Sequence, residues 1–152
     1  MGLGDYQFIL YPIGNSSMLT EEGMEFIGPY YFNFVQAVNE LKKIDKIKND
    51  PTLKSWNSFD DACYFLYNDE QYKVEIELNA GTVSEQAEMI SVRTNYYKEE
   101  GSITEALHIC RELCNSLNLS CWSMKLRRII DLNEVQDVET IISNFNKLRN
   151  KS

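Results

Sequence analysis

The run Tyr72-Lys73-Val74-Glu75-Ile76-Glu77-Leu78 alternates apolar and charged residues without a break. A period of two places Tyr72, Val74, Ile76 and Leu78 on one side of a strand and Lys73, Glu75 and Glu77 on the other. The segment therefore belongs to a sheet with one dry and one wet face, as antiparallel sheets commonly have. Residues 62–67 form a second β-rich run, and Asn68-Asp69-Glu70-Gln71 between the two reads as the turn of a hairpin. Asn79-Ala80-Gly81 interrupts the pairing. Residues 89–97 resume it with Ile90, Val92, Thr94 and Tyr96 on one face.

The flanking segments supply further strands and three helices. Residues 6–13 are rich in β-formers and end at Pro12 and Gly14, so they predict a first strand, followed by a loop over residues 15–28. Gly28-Pro29 opens a helix in which Tyr31, Phe34, Val38, Leu41 and Ile44 recur at helical spacing. Lys42, Lys43, Lys46 and Lys48 gather at its end, where the helix dipole favours cations, and Asn49-Asp50-Pro51 stops it. Ser102 with Glu105 three positions later is a capping box. It introduces a second helix with Ile103, Ala106, Leu107, Cys110, Leu113, Cys114 and Leu117 as its apolar stripe. Residues 121–130 predict a fifth strand. Val138, Ile141, Ile142, Phe145 and Leu148 define a terminal helix. The expected order is β-α-β-β-β-α-β-α. This is an α+β fold of about five mostly antiparallel strands with helices covering one face, in a single domain over residues 1–152.

Charge separates the two halves of the chain. Residues 1–90 hold 15 acidic against 6 basic side chains, and residues 91–152 hold 8 against 9. The overall charge of −8 disfavours nucleic acid, whose phosphates need a basic surface, and anionic lipid. No apolar run approaches the roughly 20 residues needed to span a bilayer. The start, Met1-Gly2-Leu3-Gly4-Asp5, lacks the basic and apolar regions of a secretory signal. These features predict a cytoplasmic protein whose four cysteines, Cys63, Cys110, Cys114 and Cys121, are reduced.

No catalytic, metal or cofactor signature emerges. His108 is the sole histidine, and on the second helix it lies about 200° around the axis from Cys110, so the two cannot close on one ion or act as a nucleophile-base pair. The spacing of the cysteines is not that of zinc ligands, and they read as small core residues. Gly2-Leu3-Gly4 lacks the context of a phosphate loop. The acidic pairs sit in turns or on a solvent face, whereas a catalytic carboxyl needs a partly dry cleft to tune its pKa.

Binding is the better-supported class. Asp60, Asp61, Asp69, Glu70, Glu75 and Glu77, with the neighbouring aromatics Trp56 and Tyr67, form a candidate partner-binding set on and around the hairpin. Aromatic anchors carry most interface energy and charges speed encounter, so this set would suit a basic protein. The alternative is a small-ligand or enzymatic domain with a pocket between sheet and helices, using Arg93, Arg127 and Tyr96. An open edge strand also offers a route to a homodimer.

The segment Glu88-Met89-Ile90-Ser91-Val92-Arg93-Thr94-Asn95-Tyr96-Tyr97, the charged turn after it, the helix over residues 104–118 and the return Leu119-Ser120-Cys121-Trp122 resemble a strand-helix-strand unit of small bacterial toxin-immunity proteins. The likeness is one of layout, covers residues 88–122 and transfers no site residues. It implies a small, acidic, cytoplasmic, non-catalytic domain that binds and blocks a toxin. Frequent Asn, Lys and Ile fit an AT-rich bacterial genome.

Overall fold

A computed structural model describes residues 3–151. The elements in chain order are β1 (Asp5–Pro12), β2 (Ser16–Thr20), β3 (Gly23–Ile27), β4 (Phe32–Asn33), α1 (Phe34–Lys43), β5 (Ile47–Asn49), β6 (Tyr64–Asn68), β7 (Lys73–Leu78), β8 (Gln86–Ala87), β9 (Ile90–Asn95), α2 (Ile103–Leu117), β10 (Leu119–Ser123), β11 (Arg128–Ile130) and α3 (Val135–Asn150). The class is α+β. Seven strands form one antiparallel sheet in the order β11-β10-β1-β9-β7-β6-β5, while β2-β3 and β4-β8 form two small pairs.

The register shows how the alternation of β7 propagates across the sheet. Ser123, Phe8, Val92, Ile76 and Phe65 stand opposite one another in successive strands and make one cross-sheet row. All five are buried. Ile130, Cys121, Leu10, Ile90 and Leu78 make a second such row. Against this face pack Ala106, Leu107, Ile109, Cys110 and Leu113 of α2, with Ala37 and Leu41 of α1 and Ile141 and Phe145 of α3 joining the same core. Phe145 meets Tyr6 edge-on at 5.5 Å between ring centroids, so the terminal helix lies on the same sheet as the others.

Ser102 caps α2 by accepting from the Glu105 amide, and Asn118 ends it in the left-handed conformation. The hairpin β6-β7 and strands β1 and β9 also follow the sequence expectation closely.

Four segments differ. Residues 15–28 are not a loop: Ser16–Thr20 and Gly23–Ile27 pair as an arm. Its turn, Glu21-Glu22 followed by Gly23 at φ 116°, carries no Asn-Gly signal, and its strands are largely exposed, so the usual burial alternation is missing. Helix α1 begins at Phe34, not at Pro29, because Phe32 and Asn33 are drawn into pairing with β8 and the Asn33 side chain caps the helix through the Gln36 amide. The same helix stops at Lys43. Ile44 is extended, Lys46 takes a φ of 70°, and Ile47 pairs with Tyr67 as an edge strand, so Lys46 and Lys48 do not belong to a helix end. Finally, residues 121–130 are two strands. The Ser123 hydroxyl accepts from the Leu126 amide and Arg127 adopts a φ of 55°, which folds the chain back on itself. The main sheet thus has seven strands where about five were expected, the short edges β5 and β11 being the additions. Three-residue edges offer little to another sheet.

Candidate functional site on the open sheet face

The face opposite the helices is polar in its middle and apolar at one side. Gln7, Arg93, Glu75, Leu66 and Lys48 align across β1, β9, β7, β6 and β5. Arg93 Nε donates to Glu75 Oε2 at 3.1 Å, and Gln7 Nε2 donates to Ser91 Oγ at 2.7 Å. The row beside it holds Ile129, Trp122, Ile9, Ser91, Glu77 and Tyr64.

The arm β2-β3 folds over the apolar side. Its pairing places Ser17, Leu19, Met24 and Phe26 on one surface and Ser16, Met18, Glu25 and Ile27 on the other. Phe26 is anchored against Tyr11 at 4.7 Å and against Trp122 at 6.2 Å between ring centroids. Toward its tip the arm stands away from the sheet, and Leu19 is 71% exposed although it shares the surface of Phe26. The gap is a cleft of about 680 Å³. Leu19, Met24, Trp122 and Met124 make its apolar wall, and Asp5, Gln7, Lys125 and Arg127 contribute its polar groups. The Trp122 indole N–H is buried with no acceptor among the described residues.

A second cleft, of about 320 Å³, is lined by Arg93, Glu75, Lys73, Leu66, residues of the 50–53 turn and Lys98, Glu100 and Gly101. Asp5 borders both clefts. Asn95 Nδ2 donates to Asp5 Oδ1 at 3.4 Å.

The eight residues expected to bind a partner do not converge. Glu75 and Glu77 point to the open face, Glu75 being paired with Arg93. Trp56 is 68% exposed and lies in the turn that precedes β6. Asp60 accepts from the Val83 amide, and Asp61 pairs with Lys54. Asp69 and Glu70 occupy the other end of the hairpin, roughly 17 Å away along a five-residue strand. The Asp69 carboxylate accepts from the Tyr72 and Gln71 amides and from the Tyr67 hydroxyl. These bonds, the Tyr72 amide foremost, hold its pKa below the ordinary carboxylate value. Glu70 takes a φ of 77° in the turn. Tyr67 is buried on the helix side, and burial pushes its hydroxyl pKa upward. Several of these acids therefore organise turns of the chain, a duty that residue type and spacing in a charged hairpin do not disclose.

Nor do Arg93, Arg127 and Tyr96 share a pocket between sheet and helices. Arg93 and Arg127 line different clefts on the opposite face, and Tyr96 stacks on Tyr97 at 4.9 Å and lies near Phe145 of α3. The space between sheet and helices is filled by the core.

On α2 the cysteines and the histidine separate as their helical positions dictate, and Cys63 and Cys121 lie outside that helix. His108 is exposed, while Cys63, Cys110 and Cys121 are buried. Burial pushes the Cys63 thiol up to about 12, with Asp60 and Glu77 adding to the effect, and raises the Cys110 and Cys114 thiols as well. Among the described residues no group of three or more His, Cys, Asp or Glu side chains could hold a metal ion. No helix among them is long and apolar enough to cross a membrane.

The residues missed by sequence reasoning are those of the arm. Met18, Leu19 and Ile27 are exposed apolar side chains beside Glu21, Glu22 and Glu25. Their signal was available in the absence of any Lys, Arg or His before Lys42. No family model, curated protein or solved structure matches this chain.

Proposed function

We propose that this protein is a non-catalytic binding module for a cationic protein, an inhibitor or immunity protein in the sense of the resemblance noted above, with its acidic half as the docking side. The observation that carries this reading is the composition of the exposed surface around the arm. Among the described residues, 13 large hydrophobics are exposed, and seven of them lie between residues 13 and 35: Ile13, Met18, Leu19, Ile27, Tyr30, Tyr31 and Val35. That stretch carries three glutamates and no cation. Exposed apolar and tyrosine side chains beside a one-signed charge are the ingredients of a protein interface: the former supply contact energy after desolvation, the latter speeds and selects encounter. Glu70, Glu75 and Glu77 extend the negative field over the open face and the hairpin turn, and Trp56 adds an exposed aromatic. Asp60 and Asp69 contribute charge from positions fixed by backbone amides, whereas Asp61 is paired with Lys54.

The test is capture on immobilised protein from native extract at low salt, repeated with a Glu21→Gln, Glu22→Gln, Glu25→Gln variant and with a Glu70→Gln, Glu75→Gln, Glu77→Gln variant. A basic protein held by the wild type, released by moderate salt and bound at least about tenfold more slowly by the arm variant supports the assignment. A partner that binds both variants at the wild-type rate with the same salt dependence would overturn it.

A further inference from the structure

We infer that the cleft beneath the arm is a binding site for a small amphipathic anion, an apolar body bearing one carboxylate. The site uses the inner surface of the arm, whereas the proposed protein interface rests on the outer one and the segments beside it with Leu19 alone common to both, so either reading can fail alone.

Four observations converge on it. First, the volume of about 680 Å³ lies within the roughly 300–1,000 Å³ typical of small-molecule sites. Second, the ring contacts that anchor the arm lie at Phe26, toward its base. Phe26 packs against Tyr11 and Trp122, yet Leu19, on the same surface and paired with Met24, remains 71% exposed. An apolar surface turned toward the sheet but not sealed against it leaves contact area unused, which an apolar guest would cover. Third, the wall is chemically suited to such a guest. Met24 and Met124 are flexible thioethers that conform to irregular shapes, and Trp122 provides a broad rigid plane.

Fourth, the charges around the cleft select the sign of the head group. Asp5 is engaged by Asn95, and Lys125 holds its ammonium 5.4 Å from the Tyr96 ring centroid. Arg127 is exposed and makes no ion pair among the described residues. Its neighbour Arg128 is already paired with Asp137. Lys125 and Arg127 are thus the two cationic groups at this cleft with donors to spare, and of the two the planar guanidinium fork of Arg127 matches a carboxylate. The net charge of −8 slows the approach of an anion, but beyond about 8 Å physiological salt screens that field, so the contact pair decides affinity.

The experiment reads Trp122 emission in a Trp56→Phe background, which leaves Trp122 as the sole indole. Decanoate, decylamine and decanol are titrated below their micellar range. Decanoate is expected to change the emission saturably, with decylamine at least about tenfold weaker and decanol between them. Arg127→Gln should weaken decanoate about tenfold and leave decanol unchanged, while Arg127→Lys should retain most of the affinity. Leu19→Glu, at an exposed position where the fold tolerates charge, should abolish decanoate binding by placing a carboxylate in the cleft wall. Decylamine binding as tightly as decanoate, an unaltered decanoate affinity in Arg127→Gln, or no saturable change of Trp122 emission would each overturn the assignment.

Discussion

Phe26 and Tyr11 hold their rings 4.7 Å apart at a tilt of 36°, and this contact joins the arm to the main sheet. Tyr11 is buried at the end of β1 in the main sheet, and Phe26 is its half-buried partner on the arm. An aromatic pair of this kind contributes about 0.5–1.5 kcal/mol beyond its burial. Phe26→Ala should free the arm without unfolding the core. Cleavage by a glutamate-specific protease after Glu21 or Glu22 is expected to rise about tenfold, with the melting temperature falling by less than about 4 °C. Unchanged cleavage would show that the arm is held by its own pairing alone.

Arg149 is the clamp at the far end of the molecule. Its guanidinium donates to the backbone carbonyls of Tyr96, Asn95, Lys98 and Gly101, and it lies 4.8 Å from the Phe145 ring centroid. It thereby ties α3 to the turn between β9 and α2. Arg149→Ala should cost about 2–4 kcal/mol, or roughly 5–12 °C in melting temperature for a chain of this size. Arg149→Lys should recover only a minor part, since one ammonium cannot reproduce the fork. Urea unfolding of the three proteins measures both quantities.

Gly101 sits where a side chain cannot. A Cβ built there would fall 1.6 Å from the Asn95 carbonyl oxygen, a backbone atom that cannot swing aside. Gly101 also bridges to Lys73 and lies next to the Ser102 cap of α2. Gly101→Ala is therefore expected to destabilise by about 3 kcal/mol or more. A denaturation midpoint within error of wild type would contradict this packing.

Acid should weaken the β6-β7 turn. The pKa values of Asp69 and Asp137 are both lowered, the first mainly by the Tyr72 amide and the second mainly by the Asp131 amide. A carboxylate whose folded pKa lies below its unfolded value stabilises the fold fully above the unfolded pKa, and loses that contribution as pH falls through the folded one. Stability should accordingly fall as pH drops below about 4. Asp69→Asn should narrow the difference between urea midpoints measured at pH 7 and pH 3. An identical difference in wild type and variant would remove Asp69 from the account.

Much of this architecture was legible in local pattern. The alternation of residues 72–78, the Ser102-Glu105 capping box and the spacing of Val138, Ile141, Ile142 and Phe145 each specify an element that the structure contains. What escaped were segments whose conformation depends on a distant partner. Phe32 and Asn33 are extended because Ala87 and Gln86 pair with them, and Ile47 leaves the helical pattern because Tyr67 lies opposite. The arm escaped for the opposite reason: its strands bury too little for alternation to appear.

The candidate site shows the same division. Residue order alone established one wet sheet face, the regional excess of carboxylates and the cysteines on the buried stripe of α2, because each follows from a period of two or 3.6 along a continuous chain. It could not specify that Asp69 would organise a turn while Glu75 faces solvent, nor that Leu19 and Met24 would meet Trp122 and Arg127 across a cleft. Leu19 and Met24 precede Trp122 and Arg127 by roughly a hundred positions in the chain. Their proximity arises from the antiparallel pairing of β1 with β10 and from the Phe26 contact that folds the arm over it, and long-range packing of that kind leaves no periodic trace in either segment.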